Sequence, residues 1–181
     1  MPNSFHHHSH LKRDNPIAKG LTAIKIRDLH IRPALNALSL FDVNDERLLL
    51  GTAAIESRFL YLKQFGGGPV RGYWQMEPET HDSLWTYFLS QSRNRQLAEA
   101  IKSLLEVAEK VSIDSCLTNH TYAAAMARVK YLSCPGGIPT SLSGQAHYWK
   151  RWYNCSPHGR SEQDYIEVWN TFCSPMYSKF R

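Results

Sequence analysis

Glu56 closes an apolar run, DERLLLGTAAIESRF, and is followed at once by Ser57. A carboxyl group at the end of such a run is a candidate general acid, because desolvation favours its protonated, neutral form near neutral pH. Sixteen residues later comes Gly72-Tyr73-Trp74-Gln75-Met76-Glu77-Pro78-Glu79-Thr80, with a glycine-rich break, Gly66-Gly67-Gly68-Pro69, between the two. Gly72 suits a turn of positive φ or a close backbone approach. The Gln75 amide both donates and accepts, so it can hold a ligand or fasten the chain segment that carries it. Tyr73 and Trp74 offer aromatic faces, but adjacent residues of an extended passage point opposite ways, so at most one of them reaches a ligand. Ser57 either orients the Glu56 carboxyl or a ligand amide, or bonds locally to the helix end.

Helices must position these residues. From Asp45, apolar Leu48, Leu49, Ala53 and Ile55 predict a buried helix ending near Glu56 to Phe59. Asp45 and Glu46 fall in its first turn as macrodipole partners, and small Gly51, Thr52 and Ala54 admit a close neighbouring helix. Val70 to Met76 reads as a short irregular or strand-like passage. Pro78 opens the next helix, along which Leu84, Trp85, Phe88 and Leu89 recur at helical spacing. First-turn Glu77 and Glu79 read as dipole partners. Further helices are predicted at about 94 to 110, 119 to 133 with Asn119 as cap, 141 to 153, and from Ser161 with Asp164 as a capping pair. The fold class is mainly α, with one small irregular or β-containing lobe between Phe59 and Met76.

Composition bounds the rest. Of 181 residues, 43% are hydrophobic and 20% charged, enough to bury a core as one domain spanning residues 21 to 181. Residues 1 to 20, rich in His, Asn, Pro and Ser, read as a flexible tail. His6, His7, His8 and His10 within it are not expected to hold a structural metal, and no cofactor is implied. No apolar stretch approaches the roughly 18 residues of a membrane span, and the first residues lack the pattern of an export leader. Cys116, Cys134, Cys155 and Cys173 form no Cys-x-x-Cys pair and read as free thiols. The formal charge of +5 fits a polyanionic partner, but no basic run gives the footprint of nucleic-acid binding.

Glu56-Ser57, the glycine-rich break and the Gly72 to Thr80 segment together resemble the goose-type lysozyme and soluble lytic transglycosylase superfamily. That family's pattern is a Glu-Ser pair, a loop, then Gly-Leu-Met-Gln followed by a Pro and a Thr. Gly72, Gln75, Pro78 and Thr80 match, and Tyr73 and Trp74 replace Leu and Met. Tyr153-Asn154 is similar to the family's later Tyr-Asn motif, with Cys155 and Ser156 in place of Ala and Gly. The resemblance implies a lysozyme-like helical fold, peptidoglycan glycan strands as substrate, Glu56 as general acid and Tyr153 as a substrate contact. Between Ser57 and Met76 there is no Asp or Glu, where goose-type lysozymes carry further acids, which favours lytic transglycosylation with one Glu over hydrolysis. An inverting lysozyme or chitinase-type hydrolase, and a catalytically silent virion or wall-binding module, are the alternatives. Without an export leader, a wall-cleaving enzyme points to a bacteriophage, held in the host cytoplasm until release or carried on the virion beside other virion proteins.

Overall fold

The computed structural model describes residues 22–63, 68–106 and 110–177, and the chain over them is mainly helical. The N-terminal tail with its four histidines, and Gly66 and Gly67 of the glycine-rich break, lie outside the described residues.

The first helix, α1 (residues 22–37), is one that the apolar spacing did not announce, because Pro33 interrupts its reading. The chain accommodates Pro33 by widening the preceding turn, Arg27–Ile31, to π-helical bonding, in which the Arg32 N–H reaches back five residues to the Arg27 carbonyl. The Leu29 carbonyl, which a non-proline residue at position 33 would have engaged, accepts instead from the Thr121 hydroxyl at 3.4 Å.

Helix α2 (Val43–Ser57) begins at Asp42, whose carboxylate accepts from the Asn44 N–H at 2.7 Å. The acids of its first turn do more than meet the helix dipole. Asp45 and Glu46 are buried, the first paired with Arg128 and the second with Arg32 at 2.5 Å. Leu48, Leu49, Leu50, Ala53 and Ala54 are wholly buried, so this helix is enclosed on all sides rather than amphipathic. Its C-terminus turns sharply: Arg58 and Phe59 both adopt left-handed φ, 52° and 57°. The Ser57 hydroxyl holds this turn, donating to the Ala53 carbonyl at 2.9 Å and accepting from the Phe59 N–H at 3.2 Å.

The described residues between 58 and 77 are non-helical. Within it, among the described residues, two isolated antiparallel bridges join Lys63 to Arg71 and Arg71 to Met76. The passage predicted as irregular or strand-like is a tight turn, with Gly72 to Gln75 looping between the bridged Arg71 and Met76.

Helix α3 starts at Pro78, runs as α-helix to Ser83 and continues as a π-helical stretch over Leu84–Leu89. Helix α4 (Arg95–Lys102) stops well short of the predicted residue 110. A single turn, α5 (Ser115–Thr118), precedes α6 (His120–Leu132), whose first turn is capped by Asn119 accepting from the Tyr122 N–H at 2.9 Å. Helix α7 (Leu142–Trp152) matches its predicted span and α8 (Glu162–Phe172) starts where predicted, with a full Ser161–Asp164 capping box; a short α9 (Ser174–Tyr177) follows.

Alanine-rich α6 lies at the centre, buried from Tyr122 to Val129, with α1, α2, α4 and α5 packed around it. Helix α8 covers α2 and α7. The close approach expected from Gly51 occurs here: a Cβ at that position would lie 2.0 Å from the Tyr165 hydroxyl oxygen of α8. Among the described residues, no helix is long and apolar enough to cross a membrane. All four cysteines are free.

Candidate active site

Four parts of the fold meet around one cleft of about 490 Å3: the end of α2, the turn before α3, the last turn of α6 and the residues at and after the end of α7. Its walls carry Glu56, Gln75, Glu77, Thr80, Lys130, Trp152, Tyr153, Asn154 and Arg160. The volume falls within the usual range of small-ligand sites.

Glu56 is the centre of its chemistry. The carboxylate is partly enclosed where α2 ends against α7, and its Oε1 accepts from the Trp149 indole Nε1 at 3.0 Å. Burial pushes its pKa above the ordinary Glu value of 4.5. Hydrogen bonds from Trp149 and Asn154, and the positive charges of Arg160 and Lys130, pull the other way without cancelling that rise. The result is a carboxyl group that retains its proton above the usual carboxylate range and faces open volume. Replacing Trp149 by Phe removes one donor to the charged form, so the Glu56 pKa rises further; carboxyl-selective 13C NMR titration measures the shift.

Lys130 reaches the cleft from α6. Its ammonium lies 3.8 Å from the centroid of the Tyr153 ring and donates to the Tyr153 carbonyl at 3.0 Å. Burial lowers its pKa, opposed by the negative charges of Glu56 and Glu77.

The structure brings together three of the residues singled out by sequence, Glu56, Gln75 and Tyr153, and sends four elsewhere. Gln75 lines the cleft with φ of 46°, its amide donating to the Tyr61 and Gly72 carbonyls at 2.9 and 2.8 Å. It therefore fastens the turn and borders the cleft at once. Tyr153 also borders the cleft, but its hydroxyl donates to the Trp74 carbonyl at 2.8 Å, and it is buried: it ties the segment 58–77 to α7.

Trp74 is not a ligand contact. It is wholly buried, its Nε1 donating to the Leu49 carbonyl of α2 at 2.9 Å. Tyr73 leaves the cleft too, packing its ring 4.6 Å from that of His120 and 6.5 Å from that of His30. Ser57 is wholly buried and its hydroxyl bonds at the helix end, to the Ala53 carbonyl and the Phe59 N–H. Gly72 has φ of 75°, and a Cβ there would sit 2.5 Å from the Cys116 carbonyl oxygen. The close approach it permits is to α5, and it does not line the cleft.

Sequence reasoning passed over Trp149, Lys130, Glu77 and Arg160. Trp149 reads as core, and it is wholly buried, yet its one polar atom is aimed at Glu56. Glu77 reads as a dipole partner, but as N-cap residue of α3 it makes no side-chain cap bond and borders the cleft instead. No periodicity announces such residues; only the fold brings positions 56, 77, 130 and 160 together. Comparison of the chain with family models, with curated proteins and with solved structures yields no match.

Proposed function

We propose that the protein is a peptidoglycan-cleaving glycosidase of lysozyme-like architecture, acting on the β-1,4 bond between N-acetylmuramic acid and N-acetylglucosamine. The observation that carries this reading is the Glu56 carboxyl: desolvated, proton-retaining, and set in the wall of an open cleft by the Trp149 indole. It is supported by the order Glu-Ser, glycine break, Gly-x-x-Gln, Pro, Thr in the sequence, and by Gln75 and Thr80 bordering the same cleft. In this reading the segment 58–77 is the small lobe, and the protein is phage-encoded, either a lysis enzyme or a virion component.

The favoured mechanism is lytic transglycosylation. Protonated Glu56 gives its proton to the glycosidic oxygen as the bond from that oxygen to the muramic C1 breaks. The departing N-acetylglucosamine end leaves as an alcohol. Glu56, now a carboxylate, takes the proton of the muramic C6 hydroxyl as that oxygen bonds to C1, closing a 1,6-anhydro ring and restoring the acid. Lys130 and Arg160 stabilise the carboxylate between the two steps. No second carboxylate is required.

One observation favours a second reading. Glu77 borders the same cleft and is exposed, so it is placed to activate a water for inverting hydrolysis. Digestion of purified peptidoglycan, with products identified by mass, separates the two. Anhydromuramyl ends are the expected result. Reducing muramyl ends, lost on Glu77→Gln, would replace transglycosylation by hydrolysis. No cleavage by the correctly folded chain would leave the silent wall-binding module.

A further inference from the structure

Three rings that do not line the Glu56 cleft meet elsewhere in the fold: His30 on α1, His120 at the start of α6 and Tyr73 in the turn before α3. The two imidazole centroids lie 5.1 Å apart with their planes nearly perpendicular, at 83°. Tyr73 packs against His120 at 4.6 Å and His30 at 6.5 Å. Both histidines are half-buried. The backbone keeps them together: His30 sits within the π-helical turn Arg27–Ile31, and the Leu29 carbonyl beside it accepts from the hydroxyl of Thr121, the residue after His120. Short π-helical stretches are found frequently at functional sites.

The pair offers nitrogen lone pairs. Burial lowers the pKa of both imidazoles below the ordinary 6.5, and the charge of His120 lowers that of His30 further; the Leu29 and Cys116 carbonyls oppose these shifts. Both rings are therefore neutral at pH 7, each with one nitrogen free to act as a ligand. The His120 Nδ1 is enclosed and meets no partner in hydrogen-bond geometry, the Cys116 carbonyl included. Ring packing accounts for the aromatic contacts but leaves that atom unsatisfied, at a cost in free energy. Imidazole nitrogen suits Zn2+, Cu2+ and Ni2+, whereas Mg2+ and Ca2+ take oxygen. Spacing narrows the choice. With Zn–N of about 2.0–2.1 Å, two rings on one tetrahedral ion have centroids roughly 5 Å apart, and at the right angle of a square-planar ion roughly 4.5 Å. The observed 5.1 Å fits the tetrahedral case.

We propose that His30 and His120 form a binding site for one divalent transition-metal ion of the Zn2+ class, which clamps α1 to the start of α6. The protein supplies two ligands, since among the described residues no three His, Cys, Asp or Glu side chains gather to hold a metal, and water completes the tetrahedron. Only folding brings positions 30 and 120 together, so the ion binds the native chain and stabilises it. The site is independent of the glycosidase reading of the Glu56 cleft.

The test uses the full-length chain with His6, His7, His8 and His10 replaced by Ser, so that those four histidines do not compete for the ion. Calorimetric titration with ZnCl2 near neutral pH is expected to show one ion per chain. At about ten times the dissociation constant, the melting temperature should rise by roughly 3–6 °C. His30→Phe and His120→Phe each keep a ring against Tyr73 and remove a nitrogen donor. Either should weaken binding by at least about tenfold and cut the melting shift at that concentration by more than half. A second measurement needs no substitution within the site: paramagnetic Ni2+, which shares the preference for imidazole, should broaden the NMR signals of His30, Tyr73 and His120 first. No binding once the four N-terminal histidines are replaced, an affinity unchanged in both Phe variants, or broadening centred on His81, His147 or His158 would overturn the site.

Discussion

Glu56→Gln is expected to lower the rate of peptidoglycan cleavage by about 10²–10⁴-fold, the usual contribution of a positioned general acid. The substitution keeps the size of the side chain and an oxygen able to accept from Trp149, so circular dichroism and the melting profile should remain those of a folded chain. The proposed glycosidase mechanism needs the protonated form, so cleavage should fall as pH rises through the elevated Glu56 pKa. Stability follows the same titration. A carboxyl whose folded pKa is raised binds more protons in the native state, so its stabilisation is present at low pH and is lost as pH rises from 4.5 through the folded value. Glu56→Gln should flatten that part of the stability-pH profile. A Gln variant that retains full activity would remove Glu56 from the mechanism.

The largest loss of stability is expected from Arg128→Ala. Arg128 is 9% exposed and Asp45 7%, and the guanidinium Nε donates to the Asp45 carboxylate between the centre of α6 and the start of α2. Removing one partner of a buried pair leaves a charge without compensation, at a cost of about 3–5 kcal/mol. For a chain of this size that lowers the melting temperature by roughly 6–20 °C. Burial already pushes the Asp45 carboxyl up, and Arg128 opposes that push. Without Arg128 the pKa climbs further, so the deficit should shrink as pH falls and Asp45 takes up a proton. The double change Asp45→Asn with Arg128→Met should recover part of the loss, since it removes both charges. Calorimetric scans across pH check all three statements; a variant that melts within a degree of wild type would deny the pair any structural weight.

Much of the helical frame is legible in the sequence because local chemistry writes it. Asn119, Ser161 and Pro78 mark helix starts that the structure keeps, and Gly51 announces a close helix neighbour that proves to be Tyr165. Helix α1 is not legible, since a proline normally forbids the helix that a π-helical turn and the Thr121 hydroxyl here make possible. The candidate site divides in the same manner. Glu56 can be found from an apolar run and a following motif. Tyr73 and Trp74 cannot be placed, because reading them as an extended passage ignores a turn that buries one ring in the core and packs the other against two histidines. The cleft's cations and second carboxylate depend on contacts between distant elements, which no local pattern encodes.

The left-handed residues at the end of α2 have a further meaning. Among the described residues, four non-glycine positions have positive φ, and Arg58, Phe59 and Gln75 are three of them, two just after Glu56 and one across the cleft from it. Each holds a conformation that costs on the order of 1 kcal/mol or more for an L-residue. Three of the four left-handed non-glycine positions among the described residues therefore gather around Glu56. In the proposed reading, backbone strain and the placement of the acid draw on the same few bonds. Replacing Arg58 or Phe59 by glycine would relieve the backbone and, in the same change, slacken the seat of Glu56.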